Sequence, residues 1–256
     1  MLSTIFDTHA HYDDKAFDDD RDGIIASLPE MGVCAVVNAS SDLDSARTGI
    51  MLAEKYPFIW AAVGIHPHEV HRALDNSEKV LRTLLANPRV VAVGEIGLDY
   101  HYDYSPRDLQ LAWFERQLKL ALELDKPVII HDREAHEDTM RMLKKYRPRG
   151  VVHCFSGSVV MARDIVELGL YIGLGGAVTF KNARKPVEVA KMLPQDRLLL
   201  ETDAPYMAPV PFRGTRCHSG MIENTAKFIS EIRCVSVDNL LKTTCENACS
   251  LFGISL

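Results

Sequence analysis

The chain has 256 residues, of which 47% are apolar and 25% charged. That is ordinary globular usage with enough length for a sizeable core, and it excludes disordered, collagenous and coiled-coil classes. With 29 basic against 35 acidic residues the formal charge is −6, so a phosphate-bearing partner must be gripped locally, by a few cations or by metal, rather than by bulk charge. No apolar run approaches the ~20 residues needed to span a bilayer. The start, Met1-Leu2-Ser3-Thr4-Ile5-Phe6-Asp7, lacks the basic and apolar regions of a secretory signal. The six cysteines, Cys34, Cys154, Cys217, Cys234, Cys245 and Cys249, form no C-x-x-C pair and read as reduced, mostly buried thiols. Cys245 and Cys249, one helical turn apart, read as core rather than as a redox pair. The expectation is a soluble, cytoplasmic, monomeric protein with no membrane and no obligate protein partner.

Along the chain, short β-branched apolar runs alternate with amphipathic stretches. Strands are expected at 5–9, 33–39, 59–65, 90–96, 128–131, 151–155, 170–174 and 198–202. Most are apolar on both faces, as parallel strands covered on both sides must be. Ser105-Pro106 has the chemistry of a helix start, and Leu111, Phe114, Leu118, Ala121 and Leu122 then recur at helical spacing. After the eighth strand comes a Pro- and Gly-rich loop, 205–220. Helices are expected near 222–233 and 237–252, with Gly253 placed to terminate the last. A repeat of about 28 residues is the size of a βα unit, and eight of them describe an α/β fold, a (β/α)8 TIM barrel, as one domain over 1–256. An open doubly wound sheet is the alternative; it usually carries a G-x-G-x-x-G turn, which does not occur here.

The active site of such a barrel lies at the C-terminal ends of its strands. Five of those ends carry ionisable residues where the apolar run stops: His9 and His11, Glu95, His131, His153 and Asp203. His9 and His11 are two apart, so on a strand they face one side. Each has an ordinary reading alone, as a core histidine, a salt-bridged carboxylate or a turn aspartate. Together they would be costly to bury without compensation, and divalent cations are the natural compensation. Four imidazoles and two carboxylates exceed what one open catalytic metal uses, so two metals sharing a carboxylate are expected. Nitrogen and oxygen donors suit Zn, Mn, Ni or Fe. Two metals ~3.5–4 Å apart are the usual clamp for phosphate-ester hydrolysis.

Asp7-Thr8-His9-Ala10-His11, Gly64-Ile65-His66-Pro67-His68, Gly94-Glu95-Ile96-Gly97-Leu98-Asp99-Tyr100, His153-Cys154-Phe155-Ser156-Gly157 and Glu201-Thr202-Asp203-Ala204-Pro205-Tyr206 together resemble the TatD-like deoxyribonucleases, metal-dependent hydrolases related to the amidohydrolases. The resemblance runs in order from residue 5 to about residue 252. It implies one metal on His9, His11, Glu95 and Asp203, and a second on Glu95, His131 and His153, with Glu95 bridging. His66 would contact the scissile phosphate or a nearby water, and Arg133, Glu201 and Asp99 fall beside matched motifs. It further implies hydrolysis of DNA, 3′-to-5′ on single-stranded ends, supported by Mg or Mn, with Zn or Ni as possible bound ions. Asp203 is the expected general base toward a metal-activated water. The chain departs from the family at Cys217-His218-Ser219, where Asn-Glu-Pro is usual, and at His101-Tyr102-Asp103. Both segments are expected to border the substrate groove.

Local grip on DNA is expected from Lys181, Arg184 and Lys185 and from Arg213 and Arg216, with Phe180, Tyr206 and Phe212 among them as stacking or packing groups. His68 and His101 are expected near the mouth, His71 past the third strand's loop, and His136 on the surface. Cys154 is expected to turn away from His153 into packing. Two rival readings remain: a hydrolase of a small-molecule or D-aminoacyl-tRNA ester or amide on the same scaffold, and a barrel that binds without catalysis.

Overall fold

The computed structural model describes residues 4–256. Among them, eight strands form one parallel sheet in the order of the chain. They are β1 (Ile5–Ala10), β2 (Val33–Ala39), β3 (Ile59–Val63), β4 (Val90–Asp99), β5 (Val128–Arg133), β6 (Gly150–Val152), β7 (Tyr171–Leu174) and β8 (Leu198–Leu200). Helices fill the crossovers: α1 (Arg21–Ser27), α2 (Leu43–Lys55), α3 (Ser77–Leu85), α4 (Arg107–Glu123), α5 (His136–Tyr146), α6 (Val159–Glu167) and α7 (Arg184–Met192). Two more, α8 (Ile222–Arg233) and α9 (Val237–Phe252), follow the eighth strand, at the bounds read from the sequence. Gly253 takes φ 66° and its amide bonds the Cys249 carbonyl, ending α9 as expected. The fold is the TIM barrel, and no described helix is long and apolar enough to cross a membrane.

The two apolar faces of each strand go to two different cores. Phe6, Ala35, Val37, Ala62, Ala92, Ile129, Val151 and Leu199 fill the inside of the barrel, and Ala248, Leu251, Phe252 and Ile254 stop its floor. The rings of Phe6 and Phe252 stack there, 6.1 Å between centroids. The alternate residues, such as Val36, Val63, Val93 and Ile130, pack outward against Ile25, Leu81, Phe114 and Leu118 of the helices. This is why the strands read as unbroken apolar runs.

The sheet closes on itself at the rim. Ala10 bridges Ala204, the amide of Asp203 donates to the His9 carbonyl at 2.9 Å, and that of His11 donates to the Ala204 carbonyl at 2.7 Å. The buried Asp7 carboxylate accepts from the Thr202 amide (3.0 Å) and hydroxyl (2.6 Å) and from the His9 amide (3.2 Å). Burial pushes Asp7 up to about 7, so these donors hold a carboxyl that water does not reach.

Several strand ends differ from expectation. β6 and β8 stop at Val152 and Leu200, so His153 and Asp203 stand in the turns beyond them, whereas β4 runs on to Asp99. Asp203 takes φ 64°, a left-handed conformation that Asp and Asn tolerate better than most residues. At the start of α4, Pro106 occupies the capping position without a side-chain bond. The Ser105 hydroxyl is engaged instead with the His68 carbonyl at 3.0 Å. Leu122 lies on the solvent face of α4, 46% exposed. Cys245 of α9 faces Cys34 of β2, with the sulfurs 3.7 Å apart as free thiols.

Two glutamines of α4 satisfy the backbone of the neighbouring strand ends. Gln117 Oε1 accepts from the Ile65 amide (2.7 Å) and its Nε2 donates to the Ile65 carbonyl (3.0 Å). Two turns earlier, Gln110 does the same for Asp99, at 2.8 and 3.1 Å. Both side chains are buried, and neither role is readable from helical spacing. Gln117→Leu should therefore lower stability by about 2–4 kcal/mol, because it strands a buried amide and carbonyl. Urea unfolding with an unchanged m-value measures it; a loss under 1 kcal/mol would contradict the assignment.

Candidate metal centre

Local backbone irregularity aims the ionisable residues into the mouth. The β4–β5 register shifts between Val93 and Ile96, around Glu95, and the β1–β2 register shifts between Asp7 and Ala10, around His9. Such breaks in regular pairing redirect a side chain that regular pleating would send elsewhere. Gly97, at φ 145°, lies against β5 so closely that a Cβ would sit 2.0 Å from the His131 carbonyl oxygen. Ser40, beyond β2, donates to the Gly64 carbonyl and accepts from the Gly64 amide, while its own carbonyl accepts from the Glu95 amide at 3.1 Å. The Glu95 backbone is thus anchored on Ser40.

The Glu95 carboxylate stands between two sets of imidazoles. Its Oε1 lies 2.7 Å from His153 Nε2, 2.8 Å from His131 Nδ1 and 3.5 Å from His66 Nε2. Its Oε2 lies 3.3 Å from His9 Nε2 and 3.6 Å from His11 Nε2. Asp203 Oδ1 completes the second set, 3.6 Å from His9 and 3.4 Å from His11. The two Nε2 atoms of His9 and His11 converge to 3.0 Å, and the His9 and His153 rings stack at 3.8 Å. Three donor groups result, His9–His11–Asp203, His9–Glu95–His153 and His66–Glu95–His131, each with its ligand atoms within 4.8 Å of one another. All six expected ligands come together, and His66 joins them as a neighbour of Glu95 and His131.

Further groups orient these side chains. His11 Nδ1 donates to the Ala39 carbonyl at 2.9 Å, which in the neutral ring turns the Nε2 lone pair to the centre. Asp99, completely buried, receives His131 Nε2 at 3.0 Å and His68 Nε2 at 2.9 Å on one oxygen, and the amides of His101 and Tyr102 on the other. Glu201 lies 3.7 Å from His153 Nδ1 and accepts from the Cys154 amide. Gly173 makes room for it, since a Cβ there would meet Glu201 Oε2 at 2.3 Å. Asp99 and Glu201 were legible only as neighbours of motifs; their contacts make them positioning groups.

The charges balance in an instructive way. Burial alone would raise Glu95 and Asp203, yet His153, His66 and His9 hold Glu95 well below its usual range, and the bond from His11 lowers Asp203. Against its own burial, His11 is raised to about 9 by Asp203 and Glu95, and His131 and His153 are raised by Asp99, Glu95 and Glu201. Burial lowers His9 and takes His66 down to about 4. The carboxylates thus favour positive charge on the imidazoles around them, at the position where cations would supply it. With imidazole nitrogens and carboxylate oxygens as its donors and no Lys or Arg among them, the cluster fits divalent ions.

The remaining residues divide. Arg133 lies over the Tyr102 ring, 4.6 Å from its centroid, and Arg213 over Phe180 at 4.3 Å. Tyr206 and Phe212 are exposed, and the Tyr206 hydroxyl donates to Asp14 at 2.7 Å. Arg216 is not free for phosphate, because it forms a bidentate pair with Asp20 at 2.8 and 2.5 Å. Cys217 and Ser219 do not border the groove. Both are buried, and the Ser219 amide and hydroxyl bond the Tyr12 hydroxyl at 2.9 and 2.8 Å. Cys154 is half-buried rather than packed away, and desolvation, with Asp203, Glu201 and Glu95 nearby, pushes its thiol well up. His136 is half-buried on Asp132 at 2.8 Å.

Two outcomes follow. Metal binding should release protons, and its affinity should rise from pH 6 toward about 9, about tenfold per pH unit for each proton displaced; calorimetry in buffers of different ionisation enthalpy counts them. Asp99→Asn should weaken metal binding about 10- to 100-fold by releasing His131, measured by the same titration. An unchanged Kd would show that Asp99 has no such role.

The TatD related DNase family pattern matches residues 6–253. The chain is 40% identical to an uncharacterized metal-dependent hydrolase, YabD, of Bacillus subtilis, over 98% of this chain and 100% of that one. It is 39% identical to the 3′-5′ ssDNA/RNA exonuclease TatD of Edwardsiella piscicida, over 75% of this chain and 76% of that one. The crystal structure of YjjV, a TatD homologue from Escherichia coli, superposes with a TM-score of 0.94 at 34% identity, each chain covered completely. With a family match over nearly its whole length, this chain belongs to the TatD-related DNases, a family of metal-dependent hydrolases.

Proposed function

We propose that the protein is a two-metal nuclease that removes nucleotides from the 3′ end of single-stranded DNA, acting as a cytoplasmic monomer. The observation that carries this reading is the Glu95 carboxylate, whose two oxygens face separate imidazole sets at 2.7–3.5 Å and 3.3–3.6 Å. One carboxylate shared in this way suits a pair of cations. The 3′-5′ exonuclease name of the Edwardsiella relative supports the polarity and the single-stranded substrate.

In this reading His9, His11 and Asp203 would hold one cation and His131 and His153 the other, with Glu95 available to both. Mg or Mn would support activity, with Zn or Ni as alternative occupants. Bound divalent cations supply a water acidified toward neutral pH and charge neutralisation at the phosphate. The protein's own groups do the rest. Asp203, 20% exposed in its side chain, is the ligand best open to substrate and takes the proton from the attacking water. His66, neutral at physiological pH because burial lowers it, donates a hydrogen bond to a phosphate oxygen without adding a charge. Arg133, Arg213 and Tyr206 contact the strand beyond the scissile bond.

Single strands labelled at the 3′ or the 5′ end, incubated with Mg, Mn or EDTA, test the reading. The 3′ label should be lost first and only with metal. Asp203→Asn should lower kcat about 10²–10⁴-fold, the range of a general base, and its φ of 64° suits Asn equally. Glu95→Ala should abolish turnover. Absence of cleavage with every metal, in protein carrying about two ions per chain, would replace this reading with hydrolysis of a small-molecule or aminoacyl ester.

A further inference from the structure

The loop after β4 holds two exposed tyrosines that the metal centre does not use. Tyr102 is 46% and Tyr104 62% exposed. Their rings stack nearly parallel, 14° between planes and 5.2 Å between centroids. Exposed aromatic rings normally lose ordering entropy for little gain, so a stacked pair held in place calls for an explanation. Both rings stand edge-on to the His68 imidazole, at 5.5 and 4.9 Å. His68 is itself fixed by Asp99 at 2.9 Å, on the same oxygen that receives His131. The amide of Tyr102 also bonds Asp99, at 2.9 Å. The pair is therefore tied by one buried carboxylate to the residue proposed to hold a metal. The His68 ring lies 4.3 Å from that of His66, so a single imidazole separates the tyrosines from the group assigned to the phosphate. The guanidinium of Arg133 covers Tyr102 at 4.6 Å, which adds a fixed positive charge.

We propose that Tyr102 and Tyr104 form a stacking platform for a nucleobase of the substrate strand, with Arg133 beside it for the adjoining phosphate. This rests on the nuclease reading and specifies its substrate: a strand end whose bases are unpaired and free to leave the helical stack. A flat π-face accepts every base, so the platform confers preference for single strands without preference for sequence. Two rings beside a catalytic mouth are too small a patch for a protein partner, which needs at least ~1,000 Å², whereas one base matches one ring. Tyr104, the more exposed ring, offers the open surface, and Tyr102 backs it.

The test compares a single-stranded oligonucleotide with a copy carrying tetrahydrofuran abasic residues at its 3′ end. Wild-type protein should favour the base-bearing strand about 5- to 150-fold in kcat/KM, the range of one stacked base, with most of the effect in KM. The double variant Tyr102→Ala/Tyr104→Ala should bring this ratio close to one while metal content and Tm stay as in wild type. Tyr102→Phe/Tyr104→Phe should keep the wild-type ratio, because the rings and not the hydroxyls carry the effect. If wild type cleaves and the alanine variant retains the ratio, the platform is wrong and the nuclease reading stands. If wild type cleaves neither strand, both fall together.

Discussion

Everything at the mouth of this barrel depends on one buried carboxylate, that of Glu95. It is 3% exposed, and a lone carboxylate so placed would be strongly destabilising. Five imidazoles within 3.6 Å of its oxygens make it tolerable. The same five cannot all be protonated beside one another, so the cluster carries an internal frustration: its charge balances with a few protons or with divalent cations, but not with neither. That is a physical reason for a metal site, independent of any likeness to other proteins. It also explains why the imidazoles diverge, with His66 and His9 lowered and His11, His131 and His153 raised.

The barrel supplies rigidity where the cluster needs it. The seam between β1 and the segment after β8 is closed by bonds of the backbone that carries His9, His11 and Asp203. Closing the sheet and assembling one half of the centre are thus the same event. Asp7 ties the two sides together through Thr202. The other half is held by α4, whose Gln117 and Gln110 pair with the backbone next to His66 and at Asp99. Catalytic groups within a few tenths of an ångström of their working positions require such support.

Asp99 links the centre to its surroundings. It fixes His131 on one side and, through His68 and the Tyr102 amide, the aromatic rim on the other. The candidate metal ligand His131 and the aromatic rim therefore share one buried anchor. The segments that depart from the family motif behave differently from one another: the one after β4 reaches the rim, while Cys217 and Ser219 are buried against Tyr12.

The eight-fold alternation, the ends of α8 and α9 and the ionisable residues that gather at the mouth are legible along the chain. Those features are local: apolar runs have a period, Gly253 ends a helix by its own conformational freedom, and a histidine that stops an apolar run marks a strand end. Features that depend on residues far apart in the chain emerge only on folding. The register shifts around His9 and Glu95 arise from strand pairing, which leaves no composition mark. The roles of Gln110 and Gln117 exist only because α4 lies against β4 and reaches the segment just beyond β3. The neutralisation of Arg216 by Asp20, 196 residues away, and the burial of Cys217 and Ser219 could not be read from their own neighbours. Local pattern reports which face a residue prefers; only the closed sheet determines which residue it meets there.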